Sequence, residues 1–417
     1  MRKIIQICLY SADVIVISIF LLLSFSKISA QDYWVKTNGP YDGSVNALIA
    51  ASNNNLLAGT AYGGIYLSSD NGISWIQSNS GMTSTAVSCL TVNSEGNIFV
   101  GTQSGVFRST NNGGSWTQVN SGLTSPNIKC IVGNTSGHVF VGTDGAGVFR
   151  STNNGDSWTQ INTGLTFLTV YSISAKSNNV IFAGTWGGGM FRSTDNGSTW
   201  EAVNNNLSNP LIWSILIKSN GDIFAGTYGS GVFLSTDNGS NWTEINQGLS
   251  NLIIYCFVIT GNGEIYAGTE GGGVFITTDN GMYWDTLNTG LTDKRVWSMT
   301  IDKKGYLYAG TQGNGVFKSA KSTPVWETPG YNGFVLNQNV PNPFSVSTDI
   351  SYYLPSNCNN AELWISDICG RIVKTISLDN SMDNLQISLN GLESGVYFYK
   401  IYAESGKSET KMMILVK

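Results

Sequence analysis

The acidic residues that could support hydrolysis are few in this sequence. Glu270 and Asp293 fall in two consecutive loops with Arg295 beside them, and paired carboxylates can act as acid and base on a glycosidic bond. The alternative is that these three side chains are solvated loop charges. The single histidine, His138, excludes a site with two imidazoles, and its place between two strands predicts an exposed turn residue. We therefore predict no catalytic residue and no metal site.

Aromatic side chains suggest a different chemistry, which is stacking against a ligand. They occupy two positions of a repeated unit and recur at a spacing of 42 residues, and a glutamate takes the place of one ring. Such rings can stack on a sugar or hold a peptide, or they can fill the space between neighbouring repeats. The sequence leaves both interpretations open. The candidate ligand-binding residues are Tyr171, Trp186, Trp213, Tyr228, Tyr255, Trp297 and Glu270.

The elements that would position these rings are copies of one β unit. A Gly-Thr pair recurs seven times, from Gly59 to Gly310, at spacings of 41 or 42 residues. Turn residues divide each unit into four short strands, which is the size of a β-propeller blade. A lone four-stranded sheet cannot bury both of its faces. We therefore predict an all-β fold with a seven-bladed propeller over residues 31–323, and a linear solenoid is the competing arrangement.

The strand count also predicts how the ring closes. There are seven copies of the first three strands but eight copies of the tryptophan-bearing fourth strand. The segment Tyr33 to Thr37 precedes the first blade, so we predict that it pairs with the last blade. The alternative closing strand is Val325 to Thr328.

The turn before each tryptophan follows the pattern Ser-x-Asp-x-Gly-x-x-Trp. The Ser and Asp side chains can accept turn N–H groups, glycine can adopt a positive φ, and tryptophan can cover the hairpin. Over blades one to six the pattern resembles the Asp-box (BNR) repeat of sialidases, sortilin-type receptors, xyloglucanases and photosystem assembly factors. The resemblance implies structural carboxylates, although Asn111 and Asn153 replace Asp in blades two and three. The implied Asp-box residues are Asp70, Asp195, Asp237, Asp279, Trp75, Trp116, Trp158, Trp200, Trp242 and Trp284.

Two other residue types repeat in register with the blades. Arginine recurs at one third-strand position, for example at Arg150, which predicts an exposed sheet surface rather than the arginine triad of a sialidase. Cys89, Cys130 and Cys256 share a position held elsewhere by alanine or serine, which predicts small core residues rather than disulfides. A pairing of Cys358 with Cys369 is left open. Those arginines are Arg108, Arg150 and Arg192.

The repeat ends after Pro329, and a second domain follows a linker at residues 324–333. Alternating strands over residues 334–417 predict a small Ig-like β-sandwich. The Pro-Asn-Pro-Phe sequence at 341–344, the Gly-Val-Tyr strand at 395–397 and the final lysine resemble the C-terminal sorting domain of type IX (Por) secretion substrates. This resemblance implies release from the cell or attachment at the outer-membrane surface. The alternative is an ordinary adhesive Ig-like domain.

The N-terminus also predicts export. Basic Arg2 and Lys3, an apolar run and the small residues before Gln31 indicate a signal peptide over residues 1–30, cleaved after Ala30. The uninterrupted apolar run is shorter than the roughly 20 residues that span a bilayer. Lys and Arg number 22 against 27 Asp and Glu, which excludes a basic nucleic-acid-binding face.

The sequence therefore favours an exported, non-catalytic propeller that binds a glycan or protein on its loop face. We expect a monomer without cofactor, whose partners are the type IX secretion machinery and that extracellular ligand. One alternative is a glycoside hydrolase, sialidase- or xyloglucanase-like, that uses Glu270 and Asp293. Another is a scaffold for the assembly of surface proteins.

Overall fold

The fold of the chain is all-β. The computed structural model describes residues 32–41, 44–51, 53–176, 179–323, 335–336, 338–354, 361–368, 370–378, 383–389, 391–403, 406–407 and 410–416. The predicted signal peptide, the linker, the alternative closing strand, Cys358 and Cys369 lie outside these residues. No helix among the described residues is long and apolar enough to cross a membrane.

Seven four-stranded antiparallel sheets form the blades. The first strands of blades one to seven are Val45–Ala50, Val87–Val92, Ile128–Gly133, Val170–Ala175, Ile212–Ile217, Ile254–Ile259 and Val296–Ile301. The second strands are Leu56–Thr60, Ile98–Thr102, Val139–Thr143, Ile181–Thr185, Ile223–Thr227, Ile265–Thr269 and Leu307–Thr311. The third strands are Ile65–Ser68, Gly105–Ser109, Val148–Ser151, Met190–Ser193, Val232–Ser235, Val274–Thr277 and Val316–Ser319. The outermost strands are Ile76–Gln77, Thr117–Gln118, Thr159–Gln160, Glu201–Ala202, Thr243–Glu244, Asp285–Thr286 and, in blade seven, Trp34–Lys36.

The blades form a closed ring rather than an open stack. The first strand of every blade contacts the first strands of both neighbours, and that of blade one contacts that of blade seven. The Ser298 hydroxyl of blade seven donates to the Val45 carbonyl of blade one over 2.8 Å, which joins the two ends directly. The prediction of a propeller is confirmed, and the solenoid is excluded.

The N-terminal segment is the strand that closes blade seven, as predicted. Trp34–Lys36 pairs antiparallel with Val316–Ser319, with Trp34 opposite Ser319. Trp34 is only 1% exposed, and its indole N–H donates to the Leu287 carbonyl of blade six over 2.6 Å. The ring is therefore held shut by the first described strand of the chain.

The Gly-Thr pair recurs because the second strand is buried on both faces. In blade five, all residues of Ile223–Thr227 are buried. A Cβ atom on Gly226 would lie 2.3 Å from the Ser214 Oγ and 2.9 Å from Ile254 of the next blade. Only glycine therefore allows neighbouring blades to approach this closely.

The Ser-x-Asp-x-Gly turns have the predicted hydrogen bonds. In blade four the Ser193 hydroxyl accepts from the Gly197 N–H over 2.7 Å, and the Asp195 carboxylate accepts from the Thr199 N–H over 2.8 Å. Gly197 has a positive φ as predicted, and the preceding Asn196 has one as well, which was not predicted. The same arrangement with asparagine at Asn111 and Asn153 keeps the turn intact.

Each tryptophan joins two blades, which is more than the predicted covering of its own hairpin. Trp158 of blade three is 4% exposed and packs among blade-two residues such as Phe99. Its indole N–H donates to the Val119 carbonyl of blade two over 2.8 Å. Trp200, Trp242 and Trp284 repeat this contact in the following blades.

Two expectations about surface residues are wrong. The Arg150 guanidinium donates over 2.8 Å to the Asn196 carbonyl in the turn of the next blade, so these arginines clamp adjacent blades. Arg108 and Arg192 make the same contact to their neighbours. His138 is half-buried rather than exposed, and its Nδ1 lies 2.9 Å from the Asn196 side-chain amide. The packing of adjacent blades brings these turns together, which repeat periodicity alone does not indicate.

The three repeat cysteines are free thiols, as predicted. The Cys130 Sγ faces the Val170 carbonyl of the next blade, at 3.7 Å. Burial raises the pKa of the Cys130 and Cys256 thiols to about 12. They serve as small residues between blades.

The C-terminal domain consists of two antiparallel sheets around one core. The smaller sheet contains Val335–Leu336, Ser347–Tyr353 and Asp383–Ser388. The larger sheet contains Ala361–Ser366, Ile372–Leu378, Gly395–Ala403, Gly406–Lys407 and Lys411–Leu415. Buried Ile350 and Leu363 from the two sheets belong to one hydrophobic cluster, which is the arrangement of a β-sandwich.

Candidate functional site

A β-bulge places the aromatic side chains of the first strands. In blade four the pairing register shifts between Val170 and Ser172, so that Tyr171 is the extra residue. The same shift recurs at the equivalent position of every blade. A bulge re-aims the extra side chain, and bulges are common beside binding sites. The seven bulge residues are Asn46, Ser88, Lys129, Tyr171, Trp213, Tyr255 and Trp297.

The second set of candidate residues follows the second strands and lies on the same face. Trp186 pairs through a β-bridge with Leu211, which leads into the first strand of blade five. Tyr228 with Ile253 and Glu270 with Arg295 repeat this pairing. The loops between blades and the loops after the second strands therefore share one face, as predicted. The Ser-x-Asp-x-Gly turns follow the third strands, which run in the opposite direction, so they lie at the other end of each sheet.

Six of the predicted residues form one continuous set of ring contacts, which we call the aromatic arc: Tyr171, Trp186, Trp213, Tyr228, Tyr255 and Trp297. Trp213 lies at its centre, with its ring centroid 4.8 Å from that of Tyr171 and 5.0 Å from that of Tyr255. Tyr255 extends the arc to Trp297 at 5.3 Å. Five of the side chains are half-buried, and Tyr228 is 38% exposed. The rings pack against one another and still present a surface, so packing and stacking are compatible.

Three apolar neighbours of this face were not predicted. Phe167 is 45% exposed and covers the glycine turn after Trp186, where a Cβ atom on Gly188 would lie 2.3 Å from the ring. Leu168 and Leu252, in loops between blades, are each 38% exposed. The available sequence signal was that these loops carry large apolar residues where turns are usually polar.

Polar atoms without a partner lie at the end of the arc. Burial and the negative charge of the neighbouring Glu270 carboxylate raise the pKa of the Tyr255 hydroxyl, so Tyr255 stays protonated. The Glu270 Oε2 atom and the Trp297 indole Nε1 are buried and have no partner within the described part of the chain. Gln312 Oε1 on blade seven and Asn46 Oδ1 on blade one are also buried without a partner among the described residues.

The charges on blade three neutralise each other. The Lys129 ammonium lies 3.2 Å from the Asp144 carboxylate and 5.3 Å from the centroid of the Tyr171 ring. Asn127 also donates to Asp144 over 3.0 Å. Among the residues that the structure describes, Glu270 is thus the charged group beside the arc that has no cationic partner.

Asp293, the predicted partner of Glu270, is occupied in its loop. It is 6% exposed, and its carboxylate accepts from the Gly313 N–H over 2.8 Å and from the Arg295 N–H over 3.1 Å. The Arg295 side chain also lies 3.4 Å from this carboxylate. These contacts give Asp293 a loop-ordering role.

The fold and the site together define a class of protein: a seven-bladed β-propeller with an aromatic loop face, joined to a C-terminal β-sandwich. Residues 340–415 match the family described as a secretion system C-terminal sorting domain, and residues 125–253 match the DUF6242 beta propeller domain. The chain thus carries a sorting domain that marks it for export, which confirms the resemblance to type IX substrates. No curated protein sequence matches the chain.

Solved structures share the fold at low identity. PorZ of Porphyromonas gingivalis, an essential surface component of its type IX secretion system, is 16% identical with a TM-score of 0.56 over 92% of this chain and 61% of that chain. The extracellular domain of BT3049 from B. thetaiotaomicron is 15% identical with a TM-score of 0.60 over 92% of this chain and 57% of that one. YCF48 bound to D1 peptide is 13% identical with a TM-score of 0.57, over 70% of this chain and 98% of YCF48. The chain therefore spans about three-fifths of the first two proteins, and the likeness concerns the fold.

Proposed function

We propose that this protein is an exported cell-surface or secreted binding protein that holds an extracellular ligand against the aromatic arc. The observation that supports this most is the continuous contact among six half-exposed rings on one face. The bulges that aim the first-strand rings recur in all blades, whereas the large rings occupy blades four to seven only. Packing between blades does not require aromatic rings at the bulge position, since blades one to three pack with Asn46, Ser88 and Lys129 there.

The similar proteins support two ligand classes. YCF48 is described with a bound peptide, and a GH74 xyloglucanase from Xanthomonas campestris shares the fold at 13% identity with a TM-score of 0.55. We infer that this chain likewise binds a glycan or a protein, and that it does so on its loop face.

Retention on arrays tests this function. The purified protein is applied to a printed array of neutral and acidic oligosaccharides and to a peptide array, in parallel with Trp213→Ala. Loss of the central ring should lower retention at least about tenfold, or about 1.4 kcal/mol. Tyr62→Ala is the matched control, because Tyr62 follows the second strand of blade one and is 79% exposed. If Trp213→Ala, with an unchanged melting profile, is retained as strongly as the wild type on every probe, the proposal fails.

A glycoside hydrolase using Glu270 and Asp293 is the second candidate. It is favoured by the unpartnered Glu270 oxygen, while the contacts of Asp293 to Gly313 and Arg295 argue against a role in chemistry. Release of reducing sugar from surface polysaccharides and sialosides by the wild type, and its loss in Glu270→Gln, would establish it. The third candidate, a scaffold for surface proteins, would show as capture of peptides alone.

A further inference from the structure

The hydrogen-bonding groups at the end of the aromatic arc restrict the chemistry of its ligand. Glu270 and Trp297 both lie beside Tyr255, since the Glu270 charge raises the pKa of the Tyr255 hydroxyl and the Tyr255 ring lies 5.3 Å from that of Trp297. Among the residues that the structure describes, Glu270 Oε2 is an acceptor without a donor, and Trp297 Nε1 is a donor without an acceptor. A buried polar atom without a partner destabilises the site until a ligand supplies one.

Neighbouring blades add further acceptors. Within the described ranges Asn46 Oδ1 has no partner, and its amide is oriented by a 2.8 Å hydrogen bond from Nδ2 to the Val87 carbonyl, so the free atom is the oxygen. Gln312 Oε1 is likewise unpartnered among the described residues. Blades six, seven and one therefore carry a mixed set of atoms that needs both donors and acceptors. A hydroxyl group supplies both at one atom and rotates to suit its partner.

The charge of the site excludes two other ligand types. A cation could pair with Glu270 and the ring faces, but it would leave the Trp297 N–H unpaired. An anion would be repelled by Glu270, and the Lys129 ammonium, which would attract it, is already paired with Asp144 at 3.2 Å. A peptide strand offers donors and acceptors in fixed alternation, which fits this acceptor-rich set less well than a row of hydroxyls.

We propose that the ligand of the aromatic arc is a neutral oligosaccharide, an inference that rests on the proposed function. Its sugar rings stack on the arc, and adjacent hydroxyls pair with the Glu270 carboxylate and the Trp297 indole N–H. This assigns Glu270 and Trp297 as the residues that select for uncharged, hydroxyl-bearing ligands.

The test measures retention of the full protein on cellohexaose, maltohexaose and xyloglucan oligosaccharides, on sialyllactose and oligogalacturonate, and on a lysine-rich peptide. Two variants each alter one polar group: Glu270→Gln removes the charge and replaces one acceptor oxygen with a donor, and Trp297→Phe removes the N–H but keeps a ring. On a neutral oligosaccharide each should weaken retention about tenfold. Raising NaCl from about 50 mM to about 500 mM should change it little, because neither partner of the complex relies on long-range charge.

Other outcomes would overturn this inference in distinguishable ways. Loss of peptide retention in Glu270→Gln with no effect of Trp297→Phe would indicate a cationic ligand. Stronger retention of sialyllactose by Glu270→Gln would indicate an acidic one. In both cases Trp213→Ala still lowers retention at least about tenfold, so that the proposed function survives while the ligand class is wrong. If Trp213→Ala changes nothing on any probe, the proposed function itself fails.

Discussion

Replacing Trp34 by alanine should destabilise the whole propeller, although Trp34 belongs to the first described strand of the chain. The side chain is 1% exposed, and it packs with blade-six and blade-seven residues including Val274 and Phe317. Truncation of a fully buried tryptophan costs about 3–5 kcal/mol, which includes the cavity. The Leu287 carbonyl also loses its 2.6 Å hydrogen bond from the indole, so we expect the upper part of this range.

Two controls make this magnitude informative. Val35, on the same strand, is 54% exposed, and Val35→Ala should lie within about 0.5 kcal/mol of the wild type. Trp158→Ala removes the equivalent residue of blade three, which is 4% exposed and donates to the Val119 carbonyl. Its loss of unfolding free energy should match that of Trp34→Ala. If this terminal strand only frayed, Trp34→Ala would change the free energy of unfolding as little as Val35→Ala does.

Urea denaturation followed by tryptophan emission provides the assay, because the propeller tryptophans outnumber Trp364 of the C-terminal domain. The free energy of unfolding of each variant is compared with that of the wild type at equal denaturant slope. A Trp34→Ala value within about 0.5 kcal/mol of Val35→Ala would refute closure of the ring by this strand.

Two further predictions concern titration. Hydrogen bonds, chiefly from the Ser74 side chain, lower the pKa of Asp70 from 3.8 to about 2. The contribution of Asp70 to stability is therefore present above about pH 4 and is lost as the pH falls toward 2. Asp70→Asn should keep the turn, as Asn111 does naturally, and should lose less melting temperature than the wild type between about pH 4 and about pH 2. Identical profiles of melting temperature against pH for the two proteins would contradict this. Burial raises the pKa of the Cys130 thiol to about 12, so iodoacetamide at pH 8 should leave it unlabelled in the native protein and label it in denaturant, as judged by mass spectrometry. Rapid native labelling, or a disulfide-linked peptide containing Cys130, would show that the thiol is not enclosed between blades.

The candidate site was predictable at the level of residues but not of contacts. The recurrence of Tyr171, Trp213, Tyr255 and Trp297 at one repeat position indicated that they share a face. That they touch follows from the bulge and from the ring geometry, neither of which appears as a spacing in the sequence. The influence of the Glu270 charge on the pKa of Tyr255, and the binding of Asp293 within its own loop, have the same origin, because both depend on which loops converge on this face.

Contacts between blades account for the predictions that were wrong. Arg150 and His138 both interact with Asn196, which lies 46 and 58 residues further along the chain. A repeat pattern describes one blade and its copies, and it contains no information on which side chain of one copy reaches the turn of the next. The arginines therefore looked like surface residues, although they hold neighbouring turns together.

The sequence by itself determined the number of blades, their four strands, the turn chemistry and the C-terminal sorting domain. These features depend on local periodicity, glycine conformation and short-range hydrogen bonds, which are readable from neighbouring residues. The tertiary structure was needed to confirm Trp34–Lys36 as the predicted closing strand, to show that six rings touch, and to show that Glu270 and Trp297 keep polar atoms without a partner among the described residues. These features require residues far apart in the chain to meet, and only burial of each blade between two others brings them together.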